Sequence, residues 1–396
     1  MVTPMKLRKE KRNTKSRQFK SCNELKASSM GKTLNTLLEK FKNEGYSIQI
    51  VSKMSTEDGG NDLTIKLRKK SGLTIYMGLL PKLDGSRKLS VIKISDGSVI
   101  ERFMHTKIPP TEINDIVCPH FLELKWAYGC PFNCAYCYLQ GTLRLLPTKK
   151  KPMIKELKKV KRHLVTFLSI RLNEPELLNT GELCDSLMYE KTEYSITKTL
   201  VPLFENQKIN RSKHKILLLS KSNQIEELLK LKNHNHIVTS FSINTNQVAR
   251  KWEKGAATPI DRIQAASTLF EADFEVRIRI DPIIPYPKTS WKQRYRSLVD
   301  KIFKKLEPSR ITLGSLRGLP TTIRMTYDKS WIKYLKEKSK WGLRPPLTTR
   351  FQAYKNLIEH LNQEYEYHKV ALCKEPVEVW EKLNLNWKTC RCNCIW

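Results

Sequence analysis

Cys130, Cys134 and Cys137 lie close together in one short segment of the chain, GCPFNCAYCYLQG. Three thiolates at this spacing can hold three irons of a [4Fe–4S] cluster and leave the fourth iron without a protein ligand. An iron with an open coordination position can bind and activate a small molecule, as an open catalytic zinc site does. The spacing therefore favours a catalytic cluster over a closed electron-transfer cluster.

The same three thiols also fit a zinc half-site or ordinary buried cysteines. The order of the two spacings, the tyrosine at Tyr138 and the apolar run FLELKWAY just before the loop favour the cluster. A short apolar run of this kind is typical of a buried strand. We therefore expect a strand that ends where the cysteine loop begins.

From about residue 118 the chain alternates apolar runs with amphipathic segments, the rhythm of βα units. Six strands are predicted, at 121–127, 164–170, 215–220, 237–243, 275–282 and 310–316. Helices are predicted at 223–232, 259–273, 291–306 and 351–363, and a strand KVALC and a helix PVEVWEKL follow. The expected fold is α/β: a partial (βα)6 barrel, an open version of the eight-unit TIM barrel.

The functional face of such a barrel is the set of loops that follow its strands. Polar residues recur at these positions in successive units: Gly181, Glu182, Lys221, Ser242, Asn244, Asp281 and Arg317. Any one of them alone is consistent with a surface ion pair or a turn contact. Their recurrence beside the cysteine loop favours a shared ligand site at the mouth of the barrel.

Several segments carry a resemblance to the radical S-adenosylmethionine (SAM) enzymes, and within them to the spore photoproduct lyase-like branch. They are CPFNCAYCYLQG, FSINT, EKGAATPIDRIQAA, IDPIIPYP and the ending ALCKEP…CRCNC. Together they cover roughly residues 118–396. The resemblance implies a [4Fe–4S] cluster on the three loop cysteines. It also implies S-adenosyl-L-methionine as a second cofactor, cleaved reductively to a 5′-deoxyadenosyl radical.

The resemblance also implies contacts with SAM. Gly181 and Glu182 match a Gly-Glu element, in which the carboxylate accepts from the SAM amino group. Lys221 would pair with the SAM carboxylate, because an ammonium is a compact point charge. Ser242 and Asn244 would hydrogen-bond the ribose hydroxyls.

The spore enzyme repairs a thymine lesion in DNA: its radical abstracts a hydrogen, a cysteine returns one, and tyrosines beside the cluster assist. Tyr136 and Tyr138 match those tyrosines, although both rings could simply pack beside the cluster. The cysteine is where this chain departs from the family. If Asp185 marks the register, Glu182 stands where the donor cysteine belongs. Cys184, two residues further on, is then the candidate donor, and true photoproduct lyase activity is in doubt.

Three regions are expected: a basic disordered arm at 1–32, a small α+β module at 33–105, and the barrel with its cysteine-rich tail at 106–396. The chain has 72 Lys plus Arg against 39 Asp plus Glu, a net charge of +33. This imbalance favours a polyanionic partner such as DNA. A lysine-rich proteome and a solvated arm are the alternatives.

Ten cysteines without a signal peptide indicate a reducing cytoplasm, and no apolar run approaches a membrane span. A second cysteine group in the tail could hold zinc or an auxiliary cluster, or no metal: Cys373, Cys390, Cys392 and Cys394. Cys22 and Cys118 are most simply unliganded thiols. Arg279, Asp281 and Arg317 would either line the substrate side or, for Arg279 and Asp281, form a structural ion pair.

Three functions follow. The first is a radical SAM enzyme that acts on nucleic acid and takes one electron from a flavodoxin or ferredoxin. The second is a radical SAM enzyme with a small-molecule or protein substrate. The third is a non-catalytic DNA-binding protein whose cluster senses redox state, which the presence of Glu182 and Lys221 disfavours.

Overall fold

The computed structural model describes residues 29–55, 61–70 and 72–396. At its centre is one twelve-stranded sheet whose strands lie side by side in chain order. These strands are β1 Ser47–Ser55, β2 Asn61–Arg68, β3 Ile75–Pro81, β4 Arg87–Ile94, β5 Ile100–Phe103, β6 Phe121–Leu124, β7 Leu177–Asn179, β8 Lys215–Ser220, β9 Ile237–Ser242, β10 Glu275–Ile283, β11 Arg310–Ser315 and β12 Val370–Leu372. The strands from β6 onwards are parallel, so their carboxyl ends form one edge.

Helices connect the parallel strands and flank the sheet. They are α1 Ser29–Asn43, α2 Leu139–Thr142, α3 Leu157–Leu168, α4 Ile196–Thr199, α5 Val201–Glu205, α6 Asn246–Trp252, α7 Pro259–Glu271, α8 Trp291–Phe303, α9 Pro320–Met325, α10 Leu347–Tyr365 and α11 Val377–Lys382. Helix α7 shows how the sequence sets a boundary. Thr258 and Asp261 form a capping box at its start, and Pro259 occupies the first turn. No helix in the described part of the chain is both long and apolar enough to cross a membrane.

Strands β1 to β5 are antiparallel, as expected for the module at 33–105. Strand β5 then pairs antiparallel with β6, so this sheet continues directly into the parallel one. Helix α1 already begins at Ser29, and most of the predicted arm, residues 1–28, lies outside the described residues. The division into three regions stays a prediction.

The α/β class and most predicted elements are confirmed, but two predictions were wrong. The segment 164–170 is not the second strand, because most of it belongs to helix α3. Val160, Leu164 and Phe167 recur at helical spacing and are buried together on one face. The second strand is β7, which pairs with β6 and β8. Residues 223–232 form turns instead of the predicted helix.

The C-terminal tail packs across the middle of the parallel sheet. The fully buried Asn393 donates to the hydroxyl of Ser240 at 2.9 Å and to the carbonyl of Ile278 at 3.0 Å. Its own amide oxygen accepts from the hydroxyl of Thr312 at 2.8 Å. Because these partners lie on β9, β10 and β11, the tail is fixed against three neighbouring strands. This places Cys392 and Cys394 beside the cavity described next.

Candidate functional site

A cavity of about 560 Å³ opens where the parallel strands end. Nearly all the side chains proposed from the sequence line it: Cys130, Cys134, Cys137, Tyr136, Tyr138, Gly181, Glu182, Cys184, Lys221 and Ser242. Asn244 is not among the lining residues. Its amide instead donates to the carbonyl of Pro282 at 2.8 Å and accepts from the hydroxyl of Tyr295 at 2.7 Å. The structure therefore brings Ser242, but not Asn244, to the predicted site.

Backbone contacts hold the cysteine loop at the cavity wall. Gly129 has a φ of +77°, and a Cβ there would come within 2.2 Å of the Lys151 carbonyl oxygen, so only glycine fits. Residues Asn133–Cys134 pair with Glu253–Lys254, and the Ala135 amide donates to the Trp252 carbonyl at 2.8 Å. These contacts fix the direction in which the loop presents its thiols.

Burial raises the pKa of all three loop thiols, for Cys134 to about 12. Such thiols ionise at neutral pH only when a metal ligates them. Among the described residues, no three Cys, His, Asp or Glu side chains converge closely enough for a single metal ion. A [4Fe–4S] cluster takes one thiolate per iron, so its cysteines need not meet at one point. The three thiols line one cavity, so this donor set fits such a cluster.

Lys221 is held in place by a buried carboxylate that the sequence interpretation missed. Its ammonium lies 2.9 Å from Glu253 Oε1 and 2.9 Å from the Ser242 hydroxyl. Glu253 also accepts from Arg262 at 2.6 Å and from the hydroxyl of Tyr136. An ammonium has three donors, so Lys221 keeps one for a ligand in the cavity.

The same contacts determine the charge state of Glu253. Burial alone would raise its pKa, but Lys221 and Arg262 outweigh burial and lower the pKa to about 2. The carboxylate is therefore ionised at neutral pH. Burial raises the pKa of Tyr136 well above its ordinary value, and the Glu253 carboxylate adds to this effect. Tyr136 thus stays a phenol that donates to Glu253.

Glu182 is fixed by hydrogen bonds from Asn179 and Tyr138. Asn179 donates to Glu182 Oε1 at 3.0 Å, and the Tyr138 hydroxyl donates to the Glu182 backbone carbonyl and lies 3.4 Å from Oε2. Gly181 packs against β8, where a Cβ would meet that of Leu219 at 2.7 Å. The Gly-Glu pair is therefore close-packed, and its carboxylate faces the cavity.

Cys184 is almost fully buried, and its thiol donates to the Thr180 carbonyl at 3.3 Å. Burial raises its pKa well above the ordinary value, so it stays protonated. The neighbouring Asp185 accepts from the Ser220 hydroxyl at 2.6 Å and from the Lys221 amide at 2.7 Å. These bonds tie the loop after β7 to the end of β8.

A second ion pair also lines the cavity. Arg317 binds both carboxylate oxygens of Asp281, at 2.8 and 2.9 Å, and Arg279 lies 4.0 Å from the same group. The tighter partner is thus Arg317, where the sequence interpretation paired Asp281 with Arg279. Four further cysteines line this region: Cys118, Cys373, Cys392 and Cys394.

Glu123 is another cavity residue that the sequence interpretation missed. It lies 3.1 Å from Lys125. Burial first, and the nearby Glu182 second, raise its pKa to about 7. Its only signal in the sequence was a single carboxylate inside an apolar run. The hydrophobic pattern alone does not show whether such a residue faces a cavity or the surface.

Comparison with known proteins finds similarity to one enzyme family. The family model for spore photoproduct lyase matches residues 122–315. The chain is 25% identical over 187 residues to the spore photoproduct lyase of Clostridium acetobutylicum, covering 46% of this chain and 52% of that one. It is 26% identical over 231 residues to the Bacillus subtilis enzyme, covering 55% and 64%.

Over residues 122–315 the chain is similar to the spore photoproduct lyases. It spans between about half and two thirds of the length of these curated relatives. A solved spore photoproduct lyase mutant with bound AdoMet and dinucleoside spore photoproduct has a similar fold. Its TM-score is 0.53 at 18% identity, and the match covers 63% of this chain and 75% of that one.

Proposed function

We propose that this chain is a radical SAM enzyme related to spore photoproduct lyase. The observation that carries the proposal is the convergence of the three loop cysteines with Glu182, Lys221 and Ser242 around one cavity. When bound there, a [4Fe–4S] cluster and SAM would supply a 5′-deoxyadenosyl radical. A reducing cytoplasm, a one-electron donor such as flavodoxin or ferredoxin, and closure of the parallel strands into a partial barrel belong to the same proposal.

Each polar group then has one task. Cys130, Cys134 and Cys137 hold the cluster, while Glu182 and Lys221 bind the amino group and carboxylate of SAM. The Glu253 carboxylate keeps Lys221 pointing at the ligand, because the ammonium is bound on one side and free on the other. Ser242 bonds to Lys221 and lines the same cavity, where its hydroxyl would also contact SAM.

We propose DNA or another nucleic acid as the substrate. The net charge of +33 favours a polyanion, and Arg279 and Arg317 line the cavity. Cys184 is proposed as the thiol that returns a hydrogen atom, with Tyr136 and Tyr138 beside the cluster. A small-molecule or protein substrate is the second candidate, since Asp281 already neutralises Arg317.

Anaerobic reconstitution followed by dithionite and SAM tests the proposal. We expect 5′-deoxyadenosine from the wild type and none from Cys134→Ala. Cys118→Ala is the matched control, because Cys118 is buried and lines the same cavity but lies outside the loop. A protein that reconstitutes but never cleaves SAM would support the redox sensor. A gel shift at graded salt concentrations tests the substrate class. If no DNA or RNA binds even at low salt, nucleic acid is excluded as the substrate.

A further inference from the structure

A short ladder of aromatic rings forms one wall of the cavity. Phe103 stacks on Phe121, with ring centroids 4.9 Å apart and planes at 13°, and on Trp341, at 6.0 Å and 26°. Phe103 and Trp341 are only partly buried, and all three rings line the cavity. They come from β5, β6 and the hairpin Glu337–Ser339 and Gly342–Arg344. None of the three lies in the residues that the family model matches.

Lys374 places a positive charge on this ladder. Its ammonium lies 4.0 Å from the ring centre of Trp341 and 4.6 Å from that of Phe103. Its backbone has a φ of +54°, a left-handed conformation that is strained for lysine, and Arg344 donates to its carbonyl at 2.8 Å. In the described part of the chain this ammonium forms no ion pair with a carboxylate. The fold therefore holds a cation over the rings at the cost of local strain.

We infer that Trp341 and Lys374, with Phe103 packed behind them, form a subsite for one unpaired nucleotide of a nucleic acid. A base is planar and stacks on exposed aromatic faces whatever its identity, and a lysine ammonium can bind the neighbouring phosphate. Because Trp341 lines the cavity and does not project from the surface, we expect a base to reach it only after leaving the duplex stack. This inference rests on the proposed nucleic acid substrate and specifies where one of its nucleotides binds.

Fluorescence anisotropy with a labelled single-stranded DNA hexamer tests the subsite on reconstituted full-length protein, without SAM or reductant. Trp341→Ala should weaken binding about tenfold, since a base loses its stacking partner. Trp341→Phe should restore most of the affinity. Lys374→Gln should weaken binding and lower the slope of log affinity against log salt by about one. A second probe with abasic residues throughout should bind wild type and Trp341→Ala equally weakly.

Trp387 and Lys388 provide a matched control. They form a similar ring and cation pair, 5.6 Å apart, outside the cavity, so Trp387→Ala and Lys388→Gln should bind the hexamer like the wild type. The inference is overturned if Trp341→Ala, folded by circular dichroism, matches the wild type, or if the abasic probe binds the wild type as tightly as the hexamer.

The same preparations are assayed for SAM cleavage without nucleic acid. Loss of 5′-deoxyadenosine formation would defeat the proposed function, and the binding data would still decide the subsite.

Discussion

Replacement of Glu253 by Gln is the sharpest test of how the site is built. The change removes the charge that Arg262 and Lys221 share, at 2.6 and 2.9 Å, in a place where the carboxylate is fully buried. Removing one partner of a buried ion pair costs about 3–5 kcal/mol. The lowering of the Glu253 pKa from 4.5 to about 2 corresponds to about 3 kcal/mol. We therefore expect Glu253→Gln to lower the free energy of unfolding by about 3 kcal/mol.

Urea unfolding of the metal-free protein under anaerobic conditions measures this loss. A carboxylate whose pKa is lowered on folding stabilises the protein at pH values above its unfolded-state pKa. That stabilisation disappears as the pH falls through its pKa in the folded state. The difference between wild type and Glu253→Gln should hence be constant near neutrality. It should shrink below pH 4.5 and vanish near pH 2.

Glu375 supplies the matched control. It too is fully buried, held by Arg344, Arg350 and the Tyr354 hydroxyl, but it does not line the cavity. Glu375→Gln should destabilise to a similar extent and keep its affinity for SAM, measured by equilibrium dialysis on reconstituted protein. Glu253→Gln should lose SAM affinity as well, because Lys221 loses its anchor. A loss below about 1 kcal/mol, the range of an ordinary surface pair, would show that Glu253 does not anchor Lys221 and Arg262 as a buried ion pair.

Three further predictions concern single side chains. Lys221→Met should weaken SAM binding by about tenfold or more while iron content stays unchanged, as measured by dialysis and iron analysis. Glu123→Gln should be more stable than wild type at pH 8 by up to about 3 kcal/mol and should differ little at pH 4. The reason is that folding raises the pKa of this carboxylate to about 7, so its ionisation costs stability as the pH rises from 4.5 to 7. Urea unfolding at both pH values measures the difference. Asn393→Ala should lower the free energy of unfolding by about 2–3 kcal/mol, because it leaves buried hydrogen-bond partners on three strands unsatisfied.

The parts of the fold with a clear hydrophobic period could be predicted from the sequence. Helix α7 combines a capping box with a buried face, and the fully buried strand β9 opens with the β-branched residues Ile237, Val238 and Thr239. The second strand could not be placed in this way. Strand β7 is only three residues long, and the apolar run before it, 164–170, fits both a strand and the helix α3 that it mostly forms.

The site was predictable where the chain itself groups the residues, as in the cysteine loop, or where a strand end marks them, as for Lys221. Glu253 was not, because its role depends on pairing between its own segment and the cysteine loop more than one hundred residues earlier. The position of the C-terminal tail could not be predicted either, because it also depends on contacts between segments that are distant in the sequence. A buried amide such as Asn393 resembles a surface residue until its partners on distant strands are known.

We propose above that the three loop thiols hold an iron–sulfur cluster with one iron open to SAM. Electron paramagnetic resonance of anaerobically reconstituted, dithionite-reduced protein tests it most directly, together with iron analysis. We expect about four irons per chain. We also expect a reduced-cluster spectrum that changes when SAM is added, and the loss of both in Cys134→Ala. Zinc in place of iron, or a spectrum that SAM leaves unchanged, would contradict this proposal.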